Sequence, residues 1–177
     1  MISINNNFNW NNSKIAGFDL DYTIIKPKSK YKFPRDKNDW KFLFENISEK
    51  ISKLHKKNYS IVFFSNQLGI SKNKVDKEDI IYKVNEIVKK INVPILTLIS
   101  INDDNFRKPR IGLWNYLNDN NKIDIDKENS FYVGDMAGRL VTKDYKKDRS
   151  DSDRKFALNI KIKFFTPESF FLDIEER

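Results

Sequence analysis

No cysteine occurs in the 177 residues. Disulfides, thiolate metal sites and cysteine nucleophiles are therefore excluded. Histidine is nearly as scarce, with His55 alone. A histidine-based dyad or triad would have to use that residue, and a multi-histidine metal centre is impossible. Its position near the end of an amphipathic stretch reads as surface or partly buried, not catalytic. Five glycines are present, and none fits a GxxxxGK[ST] phosphate loop, so a kinase module is not expected and neither is a nucleotide cofactor. No window approaches the roughly 20 apolar residues of a membrane span. Residues 1–12 are rich in Asn and lack the apolar segment of a signal peptide. No Pro/Gly/Ser linker and no internal repeat interrupts the chain. The chemistry is left to Asp, Glu, Ser, Thr, Lys and Arg.

Positive charge, by contrast, is in surplus. Lys+Arg is 33 against 25 Asp+Glu, a net charge of +8. An AT-rich codon bias, visible in the abundance of Asn, Lys and Ile, accounts for part of this. A polyanionic partner is the other reading, because surplus lysines attract phosphates and release counterions. The chain is 39% hydrophobic and 14% aromatic, which argues against disorder. Its length fits one domain able to bury a sizeable core without staples. Residues 1–13 are expected to be a disordered or extended N-terminal segment, and 14–177 a single domain.

Short apolar runs alternate with helical spacing. Strands are expected at 14–20, 59–64, 95–101, 130–133 and 160–164. Phe44, Ile47, Ile51 and Leu54 mark an amphipathic helix over roughly 40–57. Ile80, Val84, Ile87 and Ile91 mark another, closed by Asn92 and Pro94. Shorter helices are expected at 111–117 and 156–158, and Thr166-Pro167-Glu168 reads as a helix start. This order predicts an α/β fold, a doubly wound three-layer sandwich around a mostly parallel sheet. Ligands of such sheets bind beyond the carboxyl ends of the strands. Asp19 and Asp21 follow the first expected strand, Ser65 and Asn66 the second, Arg107-Lys108 the third, and Asp135 the fourth.

These residues carry a resemblance. Phe18-Asp19-Leu20-Asp21-Tyr22-Thr23 resembles the DxDxT signature of the haloacid dehalogenase superfamily, and Ser65, Lys108 and Gly134-Asp135 match its further motifs in order. Ser65-Asn66-Gln67-Leu68-Gly69-Ile70, Arg107-Lys108-Pro109, Gly134-Asp135-Met136-Ala137-Gly138-Arg139, the run Ser152 to Asn159, and Phe165 to Phe171 are similar to landmarks of the phosphatase domain of polynucleotide kinase 3′-phosphatases. Each run is weak alone, and five in order over residues 14–172 are specific.

The resemblance implies roles. Asp19 would be the nucleophile, forming an aspartyl-phosphate. Asp21, two residues on and pointing the same way, would protonate the leaving oxygen and then activate water. Asp19, the backbone carbonyl of Asp21, Asp135 and Asp153 would hold Mg²⁺, a hard ion suited to carboxylates. Ser65 and Asn66 would hold the phosphoryl group and Lys108 would neutralise it. Thr23 would support the loop carrying Asp19. Arg139 would contact substrate phosphate or anchor the neighbouring loop. Asp148 also fits an acidic position, although the residues flanking Asp153 match better. Tyr22 departs from the pattern, which usually has Gly there, and is expected to narrow the site or alter its flap.

Neither interval between the first three motifs has room for the roughly 60 further residues of a folded cap, since units below about 40 residues are rarely stable. The site is expected to be open, with minimal or no cap. An open site admits the end of a polymer. Two basic loops should rim it: Lys26, Lys28, Lys30, Lys32 and Arg35 after the first strand, and Lys143, Lys146, Lys147, Arg149, Arg154 and Lys155 after the fourth. Tyr31, Phe33 and Trp40 could stack on an unpaired base. The expected activity is removal of 3′-phosphates from DNA ends, by an intracellular monomer acting in the nucleus or cytoplasm. The alternatives are a phosphatase of a small metabolite, such as a sugar phosphate or histidinol phosphate, and a non-catalytic DNA-end-binding scaffold. Metabolite phosphatases with the same T-N-Q-x-G-I run usually carry a Cys/His zinc loop, which this chain cannot build. The scaffold would require a lost catalytic residue, and none is lost.

Overall fold

The computed structural model describes residues 1–141 and 147–174. Lys143 and Lys146 of the second basic loop lie outside them.

Five strands run parallel in the central sheet: β2 (Ile15–Phe18), β5 (Ser60–Asn66), β6 (Ile95–Ser100), β7 (Phe131–Val133) and β8 (Lys163–Phe165). With β1 (Ile2–Asn6) antiparallel at one edge, the order is β1-β6-β5-β2-β7-β8. Alternation along each strand splits the core between the two faces. Phe18, Ile61, Phe63 and Phe131 pack on one side, with α1 (Ile47–Lys56), α3 (Lys77–Ile91) and α6 (Pro167–Phe171). Ile15, Val62, Phe64 and Tyr132 pack on the other, with α4 (Gly112–Asn120) and α5 (Ser152–Ile160). The molecule is therefore the doubly wound α/β sandwich that the alternation predicts.

Several helix ends follow from local chemistry. Asn92 closes α3 in the left-handed conformation, with φ 59°, which Asn tolerates better than most residues. Thr166 opens α6 through a reciprocal capping box with Ser169, and Pro167 occupies the first helical position.

Four local differences stand out. The N-terminal segment expected outside the domain supplies the edge strand β1, because Ile2 and Ile4 pack against the core while Ser3 and Asn5 face outward. The first helix begins at Ile47, not near 40; Lys41–Phe42 instead forms β4, which pairs with β3 (Ile25–Lys26) in a small antiparallel ribbon. Trp40 is 5% exposed and belongs to the core, so it offers no stacking platform. The helix expected at 156–158 extends over all of α5.

Among the described residues no separate domain covers the carboxyl rim of the sheet. The interval before β5 holds β3, β4 and α1, and that after it holds α2 (Leu68–Ser71) and α3. Within the first interval, Asp39 organises the basic strap: its carboxylate accepts from the Ser29 amide at 2.8 Å, the Ser29 hydroxyl at 2.6 Å and the Arg35 amide at 2.9 Å.

Candidate active site

Asp19 lies one residue beyond β2, where its amide continues the ladder by donating to Val133 O at 2.8 Å. From there its carboxylate meets a network built by the loop after β6, by β7 and by the first turn of α5. Lys108 Nζ donates to Asp19 Oδ1 at 2.7 Å, to Asp153 Oδ1 at 2.8 Å and to the Tyr132 hydroxyl at 2.6 Å. The Tyr132 hydroxyl donates in turn to Asp153 Oδ1 at 3.1 Å. An ammonium has three N–H bonds, so this one is fully matched. Lys108 is itself fixed through its backbone: its amide donates to Asn66 Oδ1 at 3.0 Å, and Asn66 Nδ2 donates to its carbonyl at 3.1 Å. The Asn66 side chain thus positions Lys108.

Thr23 is fully buried and joins two of the acids. Its hydroxyl lies 3.5 Å from Asp19 Oδ2 and accepts from the Asp135 amide at 3.1 Å. It supports the acidic loops and presents no surface to a substrate.

Asp19, Asp135 and Asp153 each offer a carboxylate oxygen, all within 4.8 Å of one another. Three acids so close repel unless something neutralises them. Burial pushes Asp19 up to about 7, with Lys108 offsetting part of the effect and Asp153 adding to it. Burial, then repulsion from Asp19 and Asp153, pushes Asp135 up to about 9. For Lys108, burial works to lower the value, but Asp153 and Asp19 prevail and raise it. The cluster fits a hard divalent cation: all-oxygen donors, tight spacing and net negative charge. Gly134 makes the packing possible, since a Cβ there would lie 2.5 Å from Asp153 Cβ.

Asp148 sits elsewhere. It accepts from the Ala137 and Arg139 amides at 3.1 and 2.9 Å, and from Arg139 Nε and Nη2 at 2.9 and 3.1 Å. Arg139 also reaches Glu168 at 2.9 Å and the Asp135 carbonyl at 3.1 Å. Of the two roles expected for Arg139, this geometry is that of a loop anchor. Burial disfavours its charged form, yet its bonds to Asp148 and Glu168 raise its pKa.

Asp21 stands outside the three-acid cluster. Gln67 Nε2 donates to Asp21 Oδ2 at 2.6 Å and to Ser65 Oγ at 2.9 Å, linking the acid to the hydroxyl at the end of β5. Lys83 Nζ forms an ion pair with Asp21 Oδ1 at 3.8 Å. Three functional positions had no role assigned from sequence: Tyr132, Gln67 and Lys83. Gln67 lies inside the Ser65–Ile70 run, and Lys83 falls at the inward spacing of α3. Tyr132 sits in an apolar strand and signals nothing but core.

At the mouth, the backbone at Tyr22 is left-handed, with φ 61°, where Gly would be unstrained. Its hydroxyl donates to the Lys32 carbonyl, pinning the basic strap. Tyr31 and Phe33 are 65% exposed on that strap. The Arg35 guanidinium lies 5.8 Å from the Tyr31 ring, and Arg149, from the loop after β7, lies 5.5 Å from the Phe33 ring. The two basic loops meet there.

A family model described as polynucleotide kinase 3 phosphatase matches residues 14–171. The chain belongs to the polynucleotide kinase 3 phosphatase family. Among relatives, an uncharacterized 20.8 kDa protein of Autographa californica nuclear polyhedrosis virus is 43% identical over 92% of this chain and 88% of its own length. The bifunctional polynucleotide phosphatase/kinase of Schizosaccharomyces pombe is 42% identical over 90% of this chain, which spans only 38% of that protein. The polynucleotide 3′-phosphatase of Saccharomyces cerevisiae is 31% identical over 89% of this chain and 87% of its own length. A solved D,D-heptose 1,7-bisphosphate phosphatase from B. bronchiseptica, complexed with magnesium and phosphate, shares the fold: TM-score 0.59, 12% identity, covering 84% of this chain and 99% of that one. In this phosphatase family member the three-acid cluster, Lys108, Ser65 and Asp21 thus share one open rim.

Proposed function

We propose that the chain is a polynucleotide 3′-phosphatase that converts 3′-phosphate ends of DNA to 3′-hydroxyls. The observation that carries the reading is the convergence of Asp19, Asp21, Ser65, Lys108, Asp135 and Asp153 on one uncapped rim, next to a strap of lysines and exposed aromatic rings.

The chemistry follows from the groups present. Asp19 attacks phosphorus; the bond from phosphorus to the 3′-oxygen breaks, and its electron pair leaves with that oxygen. Asp21 delivers a proton to it, giving the 3′-hydroxyl. Asp21, now a carboxylate, takes a proton from water. The resulting hydroxide attacks the aspartyl-phosphate, releasing inorganic phosphate and restoring Asp19. Ser65 and the Asn66 amide hold phosphoryl oxygens, and Lys108 offsets charge at Asp19 and the phosphoryl group. Mg²⁺, held by Asp19, Asp135, Asp153 and the Asp21 carbonyl, would supply charge neutralisation of the phosphoryl oxygens. The open rim and the cationic, aromatic strap support a polymer end over a small metabolite, which would lie uncovered. DNA strand-break repair is the corresponding role, carried out by one phosphatase domain in the compartment where DNA is mended.

The test is release of phosphate from a 3′-phosphorylated oligonucleotide in Mg²⁺. Asp19→Asn should abolish it; near-full activity in that variant would sink the mechanism. Equal or better turnover of sugar phosphates by the native protein would favour the metabolite reading.

A further inference from the structure

Lys83 is a lysine on the wrong face of its helix. On α3 it falls in the inward stripe with Ile80, Val84, Ile87, Val88 and Ile91, and it is 4% exposed. Lysine is almost never buried this far without a counterion. Among the described residues its carboxylate partner is Asp21, at 3.8 Å. That distance is beyond hydrogen-bond range. The ammonium therefore attracts Asp21 Oδ1 without occupying it. The other oxygen, Oδ2, is held at 2.6 Å by Gln67, a neutral donor that also bonds Ser65.

Among the described residues Asp21 thus has one oxygen fixed and the other oriented but unbonded. Its side chain is partly open to solvent, where a carboxylate with no such partners would turn freely between rotamers. In a site with no covering domain, the means of holding that group must come from the sheet domain itself. Helix α3 supplies it from below the rim.

We propose that Lys83 is a positioning residue for the proton-transferring Asp21, aligning its free oxygen with the leaving oxygen of the substrate. This rests on the phosphatase reading above, in which Asp21 protonates the leaving group as the phosphorus–oxygen bond breaks and later takes a proton from water.

A misplaced acid matters only when the leaving group needs a proton. The experiment compares native protein with Lys83→Met and Lys83→Arg on three substrates in Mg²⁺: an oligonucleotide 3′-phosphate, β-glycerophosphate and 2,4-dinitrophenyl phosphate. The first two release alkoxides that must be protonated; the third releases a stable phenolate. Single-turnover rates and the pre-steady-state burst read the first chemical step alone. Lys83→Met should slow the step for the two alkyl substrates on the order of tenfold to a hundredfold. The dinitrophenolate burst should stay within about threefold of native, and Lys83→Arg should recover much of the alkyl rate. Equal losses on all three substrates would assign Lys83 a merely structural role, and no loss on any would overturn the proposal outright. If Lys83→Met does not fold, Lys83→Gln carries the same comparison. Native turnover of β-glycerophosphate but not of the oligonucleotide would defeat the polynucleotide reading while still deciding the role of Lys83. Native protein inert toward all three would defeat both.

Discussion

Tyr132→Phe removes a single buried oxygen from the centre of the site, and its cost can be worked out from the contacts. The hydroxyl accepts from Lys108 at 2.6 Å and donates to Asp153 at 3.1 Å, and the ring is fully buried between Phe64 and Phe156. Phenylalanine keeps those ring contacts, so the loss is confined to the two hydrogen bonds. One N–H of a buried ammonium is left without an acceptor, and one carboxylate oxygen loses a donor. Hydrogen bonds to charged groups are worth about 1.5–3 kcal/mol each. They share one oxygen and one network, so the two do not add fully. A destabilisation of about 2–3 kcal/mol follows, or roughly 5–10 °C in Tm for a chain of this length. Urea unfolding in EDTA should show a lower midpoint with an unchanged m-value. Adding Lys108→Met in the Phe background should cost less than Lys108→Met alone, because the orphaned donor goes with the lysine. A stability change below about 0.5 kcal/mol, or strict additivity of the two substitutions, would refute the claim that the three partners of Lys108 form one network.

Four further outcomes are expected. Asp19 and Asp135 are raised to about 7 and about 9, so the metal-free folded state holds more protons than the unfolded chain above about pH 4. Its stability should fall as pH rises from there through 7 and 9, and Mg²⁺ should restore most at the alkaline end; a flat Tm profile between pH 5 and 9 in EDTA would contradict this. Mg²⁺ binding at pH 7 should release about one to two protons, read by calorimetry in buffers of different ionisation enthalpy. Gly134→Ala should displace Asp153, whose Cβ lies 2.5 Å from the added atom, and cut activity at least tenfold by order of magnitude; a kcat within twofold of native would mean the loop yields without cost. Arg149→Ala, losing the guanidinium over Phe33, should raise KM for oligonucleotides several-fold and make the salt dependence shallower by about one counterion.

What was legible in the sequence depended on where a residue stands relative to the apolar pattern. Asp19, Ser65 and Asp135 each break a hydrophobic run at or just past a strand end, where polar residues are conspicuous, while Lys108 was legible only through the Arg107-Lys108-Pro109 run in the loop after β6. Trp40 and Tyr132 belong to the pattern itself. The first is core although it neighbours the basic strap, and the second is core with one functional oxygen. β1 stayed hidden because an Asn-rich edge strand needs only Ile2 and Ile4 to pack inward. Asp148 and Asp153 stand five residues apart, and spacing alone leaves both open. Their separation in space comes from α5: Asp153 lies in its first turn and accepts from the Met136 amide at 3.0 Å, while Asp148 is spent on Arg139.

That placement of Asp153 carries a further consequence for the balance of charge. A carboxylate in the first turn of a helix is favoured by the helix dipole, and Asp153 has Lys108 as well. Lys108 also serves Asp19, while Asp135 shares the same small space with no cation of its own within salt-bridge reach among the described residues. Three acids and one ammonium leave two negative charges uncompensated if all ionise. Burial and mutual repulsion suppress the ionisation of Asp135 and Asp19, the first more than the second. Under the proposed mechanism a divalent cation would supply the missing two charges, allowing Asp19 to ionise at neutral pH. The cluster is therefore one that folding alone would not select. On that reading, the ion and the phosphoryl group would offset the cluster's cost to the fold.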